Sequence, residues 1–64
     1  MQVTSLYINR EGHHRMSLLS ELTKREVNFT IPSAVYTELL RVAHWHLVHR
    51  EDGMELWHPG LKSS

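Results

Sequence analysis

The chain has 64 residues, with seven Lys+Arg balancing seven Asp+Glu, so it encodes one small domain with no general pull toward nucleic acid or an anionic bilayer. It contains no Cys, which excludes a disulfide framework, a thiolate zinc site and a cysteine nucleophile. An apolar share of 41% against 22% charged is that of a folded chain, yet at this length only about 60% of the unfolded surface can be buried, leaving a thin core.

In chain order, Val3 to Asn9 predicts a first strand, with Thr4, Leu6 and Ile8 sharing one face. The polar stretch Arg10 to His14 is a turn in which Gly12 can take a positive φ at little cost. Arg15 to Leu19 predicts a second strand, with Met16 and Leu18 on one face, pairing back on the first. A short helix over Met16 to Lys24 competes, because Leu18, Leu19 and Leu22 also fit its period. The hairpin is preferred, relaxing into a turn of helix around Ser20 to Lys24. Glu26 to Ile31 alternates strictly, with Val27, Phe29 and Ile31 inward and Asn28 and Thr30 outward. Pro32 stops that strand, and Ser33 is placed to cap a helix.

From Ala34 to about His49 the spacing is helical. Val35, Leu39, Val42 and His46 form one stripe, and Tyr36, Leu40, Ala43 and Leu47 widen it. Glu51-Asp52-Gly53 ends the helix, with Gly just past its last turn. Met54 to His58 predicts a closing strand, Met54 and Leu56 on one side and Glu55 and Trp57 on the other. Pro59-Gly60 ends it, and residues 61–64 form a frayed tail. The alternative for residues 46–58 is a β-hairpin on the Asp-Gly turn, with the helix stopping near His44. The longer helix is preferred because its period persists through Leu47.

Six His residues make the charge balance sensitive to acid, since histidine ordinarily titrates near about 6.5. A solubility minimum near neutral pH follows as an expectation. The stretch Met1 to Leu6 has neither a basic start nor an apolar run, and no apolar run exceeds three residues, so an export signal and a bilayer span are not expected. With the lack of Cys, this points to the cytoplasm.

Candidate chemistry is sparse. His44, His46 and His49 lie within six residues, and His46 and His49 could face one metal ion from a helix, with His13, His14 or His58 completing a site. On an ideal helix His44 points away from His46, so the adopted reading is a packed, hydrogen-bonded His46 at the core edge and no metal. Ser33, His49 and Asp52 assemble a triad on paper but lack a nucleophile elbow or an oxyanion loop. The acidic residues, Glu55 among them, neighbour basic or turn residues and read as solvated surface. A non-enzymatic chain without a cofactor is expected.

The outer helix face is more informative. Arg41, Trp45 and Val48 cluster opposite the core stripe, flanked by Glu38 and His49, and Trp with Arg on a solvent face is the pairing that dominates protein-binding hot spots. Trp45 could equally cap the core edge, whereas Trp57 is expected in the core. If Trp45 is exposed, Trp45→Ala abolishes partner binding and spares the fold.

Two resemblances bear on function. Val27 to Val35, running on through Leu39 to Ala43, resembles the strand and first helix of ribbon-helix-helix repressors, which implies that Asn28 and Thr30 would read base edges from a strand ribbon in the major groove. That resemblance covers about 17 residues and ends where the family has its second helix. The order Phe29 to Val35, helix, Asp52-Gly53 and closing strand looks like some small phage-borne anti-CRISPR proteins. The run Val42 to Val48 after Phe29 to Pro32 is similar to a small phage inhibitor of bacterial RNA polymerase. Both imply a compact protein that occludes a host machine.

Together these readings predict a single α+β domain over residues 1–64: a three- or four-stranded antiparallel sheet with one amphipathic helix on one face, in the order ββ(short α)βαβ. The expected function is a protein-binding module, with a phage or mobile-element inhibitor implied by the resemblance. Its contacts would be Arg41, Trp45, Val48, His49 and Glu38, on a host complex or on a second copy. The alternative is a dimeric DNA-binding regulator using Asn28 and Thr30.

Overall fold

The computed structural model describes residues 1–60, so the tail expected over 61–64 lies outside the described residues. Five strands and one helix follow in the order β1 (Gln2–Ile8), β2 (His14–Leu19), β3 (Glu26–Thr30), α1 (Ser33–Val42), β4 (Trp45–Glu51) and β5 (Met54–Pro59). The class is α+β. The strands form one antiparallel sheet in the order β3-β2-β1-β5-β4, which puts β1 at the centre.

The three or four strands expected become five because the helix ends at Val42 and Ala43 turns extended (φ −138°, ψ 171°). Residues 45–51 then pair with β5 across a two-residue Asp52-Gly53 loop, in which φ is 47° and 83°. Positive φ at both loop residues matches the right-handed twist of the flanking strands. The hairpin reading of this segment therefore holds and the longer helix does not. Trp45 and Leu47, on opposite faces of the expected helix, alternate as a strand instead, and both then lie on the same face as Trp57.

Two local features are decided here. Residues 20–25 close on the single turn of helix expected there, and the rival helix over Met16 to Lys24 does not form: Lys24 N–H donates to the Ser20 carbonyl four residues back, Ser20 N–H donates to the Arg25 carbonyl, and the positive φ of Lys24 (59°) stops the turn from continuing. Leu22, which argued for helix, is 96% exposed and has nothing to pack on. Ser33 does not cap the helix. It is already the first helical residue, Pro32 holds the N-cap position, and no side chain caps it.

Cross-strand register assigns the faces. On the helix side lie Val3, Leu6 and Ile8 of β1, His14, Met16 and Leu18 of β2, Val27 and Phe29 of β3, and Glu55 and Trp57 of β5. A β-bulge between Val3 and Ser5 removes Thr4 from the alternation, so Val3 takes the place expected for Thr4. The core is small: Leu6, Ile31 and Tyr36 are buried, and Ile8, Met16, Leu39, Leu40, Trp45 and Trp57 pack against them. Val35 and Val42, expected in the core stripe of the helix, are exposed, because ten residues of helix cannot cover five strands. Only three residue pairs join β1 to β5, against six joining β1 to β2. Among the described residues, no helix is long and apolar enough to cross a membrane.

Candidate functional site

The helical face expected to carry Arg41, Trp45 and Val48 does not form, because the last two residues belong to β4. Arg41 stays on the helix and pairs with Glu38, both side chains well exposed. Trp45 is half-buried against the core, and its indole N–H donates to the Leu39 carbonyl at 2.8 Å. That carbonyl is one of the four at the helix end that no helical amide can reach, so the indole stops the helix and fastens β4 to it. Truncating Trp45 would therefore remove packing, not an exposed hot spot. Trp57 packs against the core as expected.

Val48 sits at the bulge of β4, between the Leu47 and His49 pairings, and is 46% exposed. His49 Nε2 lies 3.1 Å from Glu51 Oε1 in a solvent-facing contact. Val42, the last helical residue, is 60% exposed, and Leu47 on the helix side of β4 is open as well. The surface that remains is thus a set of aliphatic side chains at the helix end and along β4, with Arg41 next to Val42 and Glu38 one turn back on the helix.

The histidines do not converge. His44 lies between the helix and β4, His49 faces Glu51, and the His46 and His58 rings meet edge to face with centroids 6.2 Å apart. His46 Nδ1 is buried and has no hydrogen-bond partner, so the hydrogen-bonded ring expected there is only packed. Among the described residues, no three His, Cys, Asp or Glu side chains are placed to hold a metal ion. Ser33 opens the helix, whereas His49 and Asp52 lie in the β4–β5 hairpin.

Asn28 and Thr30 face away from the helix, as alternation predicted, but their side chains are engaged within the sheet. Ser17 Oγ donates to Asn28 Oδ1, and the Arg15 guanidinium donates to Thr30 Oγ1 at 2.7 Å and to the Tyr7 hydroxyl at 3.2 Å. Where the repressor resemblance needs a second helix, the chain folds the β4–β5 hairpin.

Glu55 was missed. Read as solvated, it instead points under the helix and accepts from the Tyr36 hydroxyl at 3.2 Å, the Trp57 indole at 2.9 Å and the Arg50 guanidinium at 3.1 Å. The hydrogen bond from Trp57, then those from Tyr36 and Arg50, hold its carboxyl below the usual carboxylate range. Burial, then the charge of Glu55, pushes the Tyr36 hydroxyl well above the usual phenol range. The signal was available: Glu55 shares the Trp57 side of β5, and the stripe of the helix carries Tyr36.

The chain matches no protein-family model, no curated protein and no solved structure.

Proposed function

We propose that the protein is a non-enzymatic protein-binding module whose contact surface is the helix end and β4. The observation that carries this reading is the mismatch between sheet and cover: a five-stranded sheet under one ten-residue helix, with Val42, Leu47 and Val48 left open at one side. Aliphatic exposure at the helix end and along β4 on so small a fold is surface that a partner would cover. Blocking a host complex, as the phage-inhibitor resemblance implies, would use the same surface.

The test is capture from bacterial lysate by the immobilised chain, read by mass spectrometry. The expected result is a discrete protein retained at high salt and lost with Val42→Asp/Val48→Asp, whose far-UV circular dichroism matches the parent. Capture that is unchanged in the double variant overturns the reading. Nucleic acid retained and released steeply by salt would favour the DNA-binding alternative.

A further inference from the structure

The two edges of the sheet are not alike. The β4 edge is broken by the bulge at Val48 and ends in Arg50 and Glu51, devices that discourage another strand from adding. The β3 edge has none of them: its register with β2 is regular, and it holds no Pro and no helix-side charge. Its backbone orientation is also determined. Ile31 N–H donates to the His14 carbonyl at 2.9 Å, and the Arg25 carbonyl accepts from Ser20 N–H at 2.9 Å. Backbone groups of residues 25, 27, 29 and 31 thus turn toward β2, and by alternation Glu26, Asn28 and Thr30 aim N–H and C=O off the free edge.

We propose that a second copy of this chain pairs there, β3 against β3, antiparallel about a two-fold axis at Asn28. This register is self-complementary. Asn28 meets Asn28 of the partner subunit, and Glu26 meets Thr30 of the partner subunit in both directions, so all three outward residues bond on each side. Shifting the centre by one residue leaves fewer such pairs within the strand. Val27, 47% exposed, then faces Phe29 of the partner subunit, 36% exposed in the single chain, in the close-packed type of pair. Both pairs lie on the helix side and bury the apolar strip that α1 leaves open.

Charge agrees on the opposite side. Arg15, held on Thr30 Oγ1, forms no ion pair among the described residues, and Glu26 accepts only the Thr4 hydroxyl at 2.6 Å. Because Thr30 lies opposite Glu26 of the partner subunit, that carboxylate, by turning from Thr4 to the edge, comes within reach of the Arg15 guanidinium across the axis. The β3 edge is at the far side of the sheet from β4, so self-pairing and partner binding can each fail alone.

Sedimentation velocity of the purified chain at micromolar concentration is expected to show two chains of 7.5 kDa associated. Arg15→Glu and Glu26→Arg should each weaken the dimer by about tenfold or more, because both homodimers then carry two like-charged contacts. Mixed in equal amounts, the two variants should associate again, since the mixed dimer restores both opposite-charge pairs. Val27→Lys, at an exposed position, should be monomeric with an unchanged circular dichroism spectrum. A monomeric parent chain, growth beyond a dimer, or charge variants that stay apart on mixing overturns the proposal.

Discussion

Glu55 ties three elements with one carboxylate: Tyr36 from the helix, Arg50 from β4 and Trp57 from its own strand. Its depressed pKa means the folded chain binds fewer protons there than the unfolded chain as the solution is acidified. The stabilisation is present above the ordinary carboxylate range and is lost as pH falls through the lower, folded-state value. Tyr36 acts at the other extreme. Its raised pKa makes the folded chain hold a proton that the unfolded chain releases above about pH 10, so stability declines beyond that point. Glu55→Gln keeps the size, removes the charge and should cost about 1–2 kcal/mol at neutral pH. Thermal melts across the acid range should show a shallower acid limb for the variant. The residue was legible as far as its side of the strand. Its role was not, because the basic and turn residues around it in sequence read as solvated surface, and its partners Tyr36 and Trp57 meet it only in the folded sheet.

At the scale of elements, β1, β3, β5 and the start of the helix could be read from alternation and from Pro32, whereas β2 also fitted a helical period and was legible through its pairing back on β1. Residues 45–49 satisfy two periods at once, and local pattern does not choose between them. What decides is non-local: a strand here gains a backbone ladder with β5 and places Trp45 against the helix end. The Asp52-Gly53 pair carried the signal, as a two-residue hairpin loop. The site reading failed with the helix, because Arg41, Trp45 and Val48 share a face only if the helix continues. At Gly53 a Cβ would meet no atom within 4 Å, so a side chain there is opposed by its φ of 83° alone. Gly53→Ala should therefore cost about 1 kcal/mol in chemical denaturation, and Gly53→Asn less, since Asn tolerates that conformation better. Equal stability of Ala and Gly at this position would refute the turn assignment.

The whole molecule is a slab of 35 × 31 × 20 Å. Composition anticipated its thin interior but not its openness, because strand order is set by pairings between distant segments that no local pattern records. That order has a kinetic side. Residues 2–30 form a meander of neighbouring hairpins and residues 45–59 form a second unit, each wired by short-range contacts, and the three pairs between β1 and β5 are the splice. Closing it bridges some fifty positions, so its closure is expected late in folding. Tyr36 spans the splice, its ring edge-on to His14 at 4.7 Å and its hydroxyl on Glu55. Tyr36→Phe should speed native-state hydrogen exchange where β1 meets β5 and spare the amides between β2 and β3. The aromatic ring is then a rivet between the two halves, and its hydroxyl adds a bond to the backbone ladder that joins them.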